Sequence, residues 1–198
     1  MMIGLTGGYC AGKNFAARLL EARGWHCVDV DILGHSALER CLPAVEGLLG
    51  PGIRKPDGSP DRKAIGALVF ADPDLLARYE AVVHPVLFAL VDEAVGGAEA
   101  RDVCLNAAIL YRLPQVPRCR AVLEVRAPLP LRILRGLRRD RLSICAVLER
   151  IRTQAPLWKR REDYTGPILI LCNRDSEIAL DRRLAAVLER LRDNPRWG

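Results

Sequence analysis

Residues 7–14, Gly7-Gly8-Tyr9-Cys10-Ala11-Gly12-Lys13-Asn14, lie between an apolar run at residues 2–6 and a segment at residues 15–23 whose apolar positions recur with helical period. Four residues separate Gly7 from Gly12, and Lys13 follows directly. This is the spacing of a phosphate-binding loop that joins a strand to a helix. Backbone N–H groups of such a loop converge on phosphate oxygens, and the lysine adds a full charge. The sequence therefore predicts a P-loop at residues 7–14.

Asn14 occupies the position where the P-loop pattern has serine or threonine, whose hydroxyl binds Mg²⁺. An asparagine amide oxygen can also ligate a hard cation, although its carbonyl points differently. We expect phosphate binding by the loop backbone and Lys13 to survive the change. Asn14 is thus the metal ligand that the loop offers, and the placement of the metal depends on how its amide is rotated.

The composition is that of an ordinary soluble protein, with 198 residues, 50% hydrophobic and 27% charged. No apolar run approaches the roughly 20 residues of a membrane span. The chain enters its first predicted strand at once, without the pattern of a signal peptide. The seven cysteines are scattered and include no Cys-x-x-Cys pair, which indicates reduced thiols. We therefore expect one domain in the cytoplasm.

Short apolar runs alternate with helical patterns along the chain. After the first strand, further strands are predicted at residues 25–31, 102–106, 121–125 and 168–172. Helices are predicted at residues 32–49, 61–70, 72–85, 86–95 and 177–192, the last with Ile178, Leu180, Leu184, Val187, Leu188 and Leu191 on its apolar side. This alternation predicts an α/β fold, a five-stranded parallel sheet with the P-loop strand central and helices on both faces.

Asp31 closes the second predicted strand. Ligands of open parallel sheets bind beyond the carboxyl ends of the strands, so Asp31 and Lys13 could share a cleft. A carboxylate in that cleft could accept a hydroxyl proton during phosphoryl transfer. The alternative is an aspartate that caps the next helix, and position alone does not decide between the two.

Arginines are dense in residues 132–161, which we call the lid segment, and the net charge of the chain is +6. Such arginines could close over phosphates or could form a solvated basic face. Arg135 and Arg139, four residues apart on one helix face, are the better candidates for phosphate contact. Aromatic residues make up only 5% of the chain, which argues against a surface for single-stranded nucleic acid.

The chain resembles the dephospho-coenzyme A kinase family through motifs that run along nearly its whole length. The P-loop is shared by many families, whereas the Asp-Arg-Lys, His-Pro and Gln-x-Pro motifs are more specific. The matching motifs are residues 3–8, residues 28–31 with His35, Asp57-Gly58, Asp61-Arg62-Lys63 through residue 70, His84-Pro85, Arg135 with Arg139-Asp140, Leu142-Ser143, Arg150-Ile151, Gln154-Ala155-Pro156 and Asn173.

The resemblance implies ATP-dependent phosphorylation of the ribose 3′-hydroxyl of dephospho-coenzyme A, the last step of coenzyme A biosynthesis, with Mg²⁺ accompanying ATP. It implies a P-loop kinase fold in one domain. The expected core comprises residues 1–31, 101–131 and 162–198, the acceptor-binding helical insertion residues 32–100, and the lid residues 132–161.

The same resemblance implies roles for individual residues. Asp31 matches the catalytic base, Lys13 the P-loop lysine, Arg139 the lid arginine and Asn173 a position near the adenine. The implied ATP-binding set is Gly8, Tyr9, Cys10, Ala11, Gly12, Lys13, Asn14, Phe15, Arg139 and Asn173. The implied acceptor-binding set is Asp31, His35, Arg62, Lys63 and His84.

Three segments depart from the family pattern and leave alternatives open. Asn14 replaces Ser or Thr, residues 106–112 lack both acids and the proline of the family's Asp-x-Pro-Leu-Leu-Phe-Glu, and residues 163–167 are irregular. The leading interpretation is an active kinase. The alternatives are a nucleotide-binding protein with little or no transferase activity, and a P-loop protein that acts on nucleic acid. The oligomeric state is left open.

Overall fold

The computed structural model describes residues 1–98, 101–154 and 160–193. Five strands form one sheet, namely β1 (Met2–Gly7), β2 (His26–Asp29), β3 (Val103–Asn106), β4 (Ala121–Arg126) and β5 (Ile168–Cys172). Their order is β2-β3-β1-β4-β5, and every neighbouring pair is parallel. The predicted five-stranded parallel sheet with the P-loop strand at its centre is confirmed.

The described residues also contain seven α-helices: α1 (Lys13–Glu21), α2 (Val30–Leu49), α3 (Arg62–Val69), α4 (Pro73–Gly96), α5 (Leu129–Asp140), α6 (Ile144–Thr153) and α7 (Glu177–Asp193). Short 3₁₀ helices lie at Pro51–Ile53, Leu110–Arg112 and Val116–Arg118. None of the helices in the described part of the chain has the length and apolar character needed to cross a membrane.

The chain divides into two compact units. The core unit comprises Met1–Asp29 and Ala98–Gly198, and the helical unit comprises Val30–Gly97. The core unit holds the whole sheet together with the P-loop and the described parts of the lid segment. In the helical unit, α2 packs against α4, and α3 packs against α4 as well.

The two faces of the sheet are covered by different parts of the core unit. On one face Ile3 and Leu5 of β1 lie in a buried cluster with Leu20 of α1 and Leu184 of α7. On the other face, a Cβ at Gly4 would lie 2.7 Å from the Leu110 side chain. The connection after β3 therefore packs directly on the central strand, where only glycine leaves room.

Side-chain caps begin α3 and α4 close to the residues where the sequence predicted these helices to start. Asp61 accepts hydrogen bonds from the N–H groups of Lys63 (3.0 Å) and Ala64 (3.1 Å), and α3 begins there. Asp72 caps α4 in the same way. Between α5 and α6 the helical run breaks, because Arg141 has a left-handed backbone (φ 53°) and Ser143 caps α6.

Three local predictions were wrong. The second strand ends at Asp29, so Asp31 lies in the first turn of α2, where a carboxylate faces the positive end of the helix dipole. Pro85 does not end a helix, because α4 runs through it with a continuous buried face formed by Val83, Leu87, Leu90 and Val91. Ile178 is 65% exposed, since it falls outside the series Leu180, Leu184 and Leu188 that α7 buries.

The last helix provides a matched test of this core. Leu184 is fully buried, so Leu184→Ala is expected to lower the free energy of unfolding by about 2–5 kcal/mol through lost burial and the cavity left behind. Ile178→Ala, on the same helix but exposed, is expected to change it by no more than about 0.5 kcal/mol. Urea denaturation followed by circular dichroism measures both. Equal effects would contradict the described orientation of α7.

Candidate phosphate-binding site

The P-loop joins the central strand to α1 through two residues with left-handed backbone. Cys10 has φ 57° and Gly12 has φ 102°. Gly12 is the N-cap of α1, no side chain caps this helix, and its first turn contains no acidic residue. No side chain therefore competes with an anion for the positive end of this helix dipole.

Asn173, which follows β5, holds the loop in this shape. Its Nδ2 donates a hydrogen bond to the carbonyl oxygen of Ala11 (2.8 Å), and its own N–H donates to that of Arg126 (2.7 Å). A Cβ at Gly12 would lie 2.1 Å from Asn173 Nδ2. Glycine is thus required at residue 12 twice, by the backbone conformation and by the close approach of Asn173.

Two arginines of α5 also bind the loop. Arg132 Nε donates to the carbonyl oxygen of Tyr9 (2.8 Å). Arg135 Nη1 lies 3.4 Å from the carbonyl oxygen of Ala11, and its Nη2 donates to Asn173 Oδ1 (3.2 Å). The sequence singled out Arg135 but not Arg132. The available signal was the spacing, because residues 132, 135 and 139 share one face of a helix.

Tyr9 is the centre of a third set of contacts. Its hydroxyl donates a hydrogen bond to Asp140 Oδ2, and its N–H donates to Gln154 Oε1. Arg139 donates to both oxygens of Asp140, from Nε (2.8 Å) and from Nη2 (3.0 Å). The guanidinium carbons of Arg139 and Arg150 lie 5.3 and 5.6 Å from the centroid of the Tyr9 ring.

The contacts in this cluster shift the pKa values of Asp140 and Tyr9 in opposite directions. The hydrogen bond from Arg139 holds the pKa of the Asp140 carboxyl well below its usual range, and the Tyr9 hydroxyl acts in the same direction. Burial raises the pKa of the Tyr9 phenol, as does its hydrogen bond to Asp140. At neutral pH the cluster therefore consists of one carboxylate, two guanidinium ions and a neutral phenol.

Two cavities border the loop. The larger, about 540 Å³, is lined by residues that the sequence assigned to ATP, namely Cys10, Gly12, Phe15, Arg139 and Asn173, and also by Arg18, Arg135, Arg138, Asp175 and Glu177. The other, about 410 Å³, is lined by Gly8, Ala11, Val125, Arg126, Ala127, Arg132, Ile151 and Gln154. The structure thus brings residues predicted from the loop, the lid segment and the end of β5 to one cavity.

Lys13 and Asn14 begin α1 with different exposures. Lys13 is buried, with 9% of its surface accessible. Asn14 is exposed, and its side chain makes no hydrogen bond to a described residue. No group of three or more His, Cys, Asp or Glu in the described residues could hold a metal ion.

The segment that departs from the family pattern contributes buried polar groups. Asn106 ends β3, its Nδ2 lies 3.4 Å from Asp29 Oδ2, and its Oδ1 is buried without a hydrogen-bond partner among the described residues. Tyr111 donates its hydroxyl to Glu124 Oε1 (2.7 Å), and Glu124 is fully buried on β4. Neither Asn106 as an orphaned acceptor nor Glu124 was singled out from the sequence. The signal for Glu124 was a charged residue inside an apolar strand.

Two arginines compensate the buried charge of Glu124. Arg126 Nη2 lies 2.6 Å from its Oε2, and Arg161 Nε donates to its Oε1. Burial would raise the pKa of Glu124, but the hydrogen bonds from Tyr111, Arg161 and Arg126 outweigh it and lower that pKa. Glu124 is therefore a buried carboxylate that stays charged.

The residues predicted to bind the acceptor all belong to the helical unit. Asp31 and His35 lie on α2, Arg62 and Lys63 begin α3, and all four are exposed. His84 lies on α4, half-buried, with its ring 5.3 Å from that of Phe88. Of the Gln-x-Pro motif, Gln154 is described, whereas Ala155 and Pro156 lie outside the described residues. The acceptor-binding roles stay predictions.

Comparison with known proteins identifies close relatives of the chain. A family model described as dephospho-CoA kinase matches residues 1–171. A dephospho-CoA kinase from Anaeromyxobacter dehalogenans is 37% identical over 171 residues, covering 82% of this chain and 81% of the relative. One from Thermus thermophilus is 35% identical over 198 residues, covering 100% of this chain and 95% of the relative.

Solved structures with the same fold also match the chain. A crystal structure of a Thermus thermophilus protein has a TM-score of 0.82 and 36% identity, covering 96% of this chain and 97% of its own. A dephospho-CoA kinase from Campylobacter jejuni has a TM-score of 0.60 at 18% identity, covering 96% of each chain. At that identity the second likeness supports the fold alone.

The double requirement for glycine at residue 12 can be tested against a glycine that meets only one of the two demands. Gly58 has φ 81°, but a Cβ added there would meet no atom within 4 Å, so Gly58→Ala is expected to cost about 1–2 kcal/mol of stability from backbone strain. Gly12→Ala is expected to cost more, because Asn173 must also move. The hydrogen bond that Asn173 then loses to Ala11 contributes about 1 kcal/mol of stability. Urea denaturation of both variants measures the difference. A smaller loss for Gly12→Ala than for Gly58→Ala would contradict the close approach.

Proposed function

The chain belongs to the dephospho-CoA kinase family, and we propose that it transfers the γ-phosphoryl group of ATP to the ribose 3′-hydroxyl of dephospho-coenzyme A, giving coenzyme A and ADP. The observation that carries the proposal is the P-loop itself. Its helix N-terminus is uncapped and its lysine is in place at the carboxyl end of the central strand. A cytoplasmic location follows from this biosynthetic role.

The loop and the larger cavity divide the binding of ATP between them. The N–H groups at the start of α1 and the ammonium of Lys13 bind the phosphates. The larger cavity takes the rest of the nucleotide, with Phe15 and Asn173 beside the nucleoside and Arg139 beside the phosphates. Arg132 and Arg135 are engaged with the loop and Asn173, which favours a role in shaping a phosphate site over a free basic surface for nucleic acid.

Asp31 is the proposed general base of the transfer. A ribose hydroxyl is a poor nucleophile, and its proton must leave as the bond to phosphorus forms. A positioned carboxylate that takes this proton contributes roughly 10²–10⁴-fold to the rate. Asp31 is exposed in the first turn of α2, and α2 begins directly after β2, so its carboxylate is accessible to an acceptor.

The residues present fit a magnesium ion that arrives with the nucleotide. Mg²⁺ keeps several waters and binds through few protein oxygens together with substrate phosphates. The exposed Asn14 amide and the buried Oδ1 of Asn106, which has no hydrogen-bond partner among the described residues, are oxygens that could ligate the ion or one of its waters. When bound, the ion would supply neutralisation of charge at the β- and γ-phosphates.

A second candidate function is nucleotide binding with little or no transfer. Asn106 is neutral where the family has an acid, which weakens the attraction for a divalent ion, and Asn14 offers an amide oxygen where the family has a hydroxyl. The fold and the loop would bind ATP unchanged. The two candidates differ in turnover alone, which the next experiments measure.

The decisive assay incubates the pure protein with ATP, Mg²⁺ and dephospho-coenzyme A and follows coenzyme A by mass spectrometry. Asp31→Asn keeps the shape of the side chain and removes the base, so the turnover is expected to fall roughly 10²–10⁴-fold while calorimetric ATP binding persists. Glu39→Gln, an exposed carboxamide substitution on the same helix, is the control and should leave turnover unchanged. Lys13→Ala should lose ATP affinity instead. Equal turnover in Asp31→Asn and wild type would remove Asp31 from the role of base.

Asn14→Thr tests the metal side of the reaction. A threonine hydroxyl is the ordinary P-loop ligand of Mg²⁺, so the variant is expected to match or exceed the turnover of the wild type and to need less Mg²⁺ for half-maximal rate. A magnesium titration of the initial rate measures this. If the wild type makes no coenzyme A and Asn14→Thr does not restore turnover, the active-kinase proposal fails and nucleotide binding takes its place.

A further inference from the structure

We propose that Tyr9, in the P-loop, is a positioning residue that holds Arg139 of the lid segment in the orientation that contacts phosphate. The proposal rests on the function proposed above. Tyr9 does not itself touch the reacting atoms in this proposal. It acts through Arg139, whose guanidinium lies over the Tyr9 ring. Asp140, the ion-pair partner of Arg139, accepts a hydrogen bond from the Tyr9 hydroxyl.

The contacts of Tyr9 extend to both helices of the lid segment. On α5 they involve Arg132, which binds the Tyr9 carbonyl oxygen, and the pair Arg139 and Asp140. On α6 and its C-cap they involve Arg150 and Gln154. A single loop residue thus contacts the lid segment through its main chain and through the ring and the hydroxyl of its side chain.

The arrangement leaves one edge of Arg139 available. Nε and Nη2 both donate to Asp140, whereas Nη1 makes no hydrogen bond to a described residue. Arg139 lines the larger cavity together with Cys10, Gly12 and Asn173. Both N–H groups of Nη1 and the second N–H of Nη2 are therefore left for phosphate oxygens, on a side chain that its bonds to Asp140 already orient.

Fixing a long arginine side chain costs conformational entropy, and more than half of the Arg139 side chain, 61%, is exposed. Without Tyr9 the guanidinium would keep its bonds to Asp140 but lose the aromatic ring beneath it, and Asp140 would lose the hydroxyl that orients it. A preorganised donor aimed at developing charge contributes to the rate without reorganisation during the reaction. The expected consequence is a loss in kcat rather than in KM for ATP.

The first experiment is a double-mutant cycle of Tyr9→Leu and Arg139→Ala, with kcat and KM measured in the dephospho-coenzyme A assay. Tyr9→Leu removes the ring and the hydroxyl, so kcat is expected to fall roughly tenfold with KM for ATP little changed. In the Arg139→Ala background the same substitution should change kcat by less than about twofold, because its effect passes through Arg139. A full loss of about tenfold in both backgrounds would overturn the proposal.

Two further variants separate positioning from folding. Tyr9→Phe keeps the ring and removes only the bond to Asp140, so it should retain most of the turnover that Tyr9→Leu loses, and it serves if Tyr9→Leu does not fold. Tyr164→Phe removes another tyrosine hydroxyl bond, to the carbonyl oxygen of Cys119 (2.8 Å), and should leave kcat unchanged. A loss of kcat in Tyr164→Phe as large as that in Tyr9→Leu would assign both to general destabilisation and overturn the proposal.

A second readout does not depend on turnover. In hydrogen–deuterium exchange of the ligand-free protein, Tyr9→Leu is expected to speed exchange of the amides of α5 and α6, whereas Tyr164→Phe is not. Unchanged exchange in Tyr9→Leu would show that Tyr9 does not hold the lid segment. If the wild type makes no coenzyme A, the proposed function fails, and this experiment still decides whether Tyr9 holds Arg139 and its helix.

Discussion

The left-handed turn at Gly12 is the constraint on which the P-loop depends. The backbone there has φ 102°, and Asn173 approaches so closely that no side chain fits. Asn173 in turn binds Ala11 and the end of β4, so the shape of the loop is set by a residue that follows β5 in the sequence. Arg135 adds a contact to both Asn173 and Ala11. The loop is therefore held in shape by residues from outside its own sequence.

The arginines of the lid segment illustrate why charge density alone is a weak guide to function. Arg132 and Arg135 bind carbonyl oxygens of the loop, and Arg139 and Arg150 surround Tyr9 and Asp140. An exposed ion pair such as Arg139 with Asp140 contributes little to stability, since water screens it. Its consequence is geometric, because the paired carboxylate fixes which donors of the arginine remain for a ligand.

The segment after β3 shows how a departure from the family pattern can leave the fold intact. Tyr111 packs on the sheet and gives its hydroxyl to Glu124, and Arg126 and Arg161 compensate the buried charge. Removing one partner of such a buried network leaves an uncompensated charge, which costs far more than the network adds. At Asn106 a neutral amide stands where the family has an acid, and its Oδ1 makes no hydrogen bond to a described residue. The hydroxyl of Tyr111 and the carboxylate of Glu124 are thus hydrogen-bonded, whereas Asn106 leaves a hydrogen-bond acceptor at the carboxyl end of β3.

The sequence by itself determined the sheet, the P-loop and most helix boundaries. Apolar runs and glycine spacing are local signals, as are the caps at Asp61, Asp72 and Ser143, and a local pattern suffices to predict each. Local signals failed where packing overrides them: α4 continues through Pro85 because its buried face does, and β2 ends two residues early because Asp31 joins α2. Only the tertiary structure decided the partners of Asn173, Glu124 and Tyr9. Each contacts residues far along the chain, such as Asn173 with Ala11 at a separation of 162 residues, and no local pattern records such a distance.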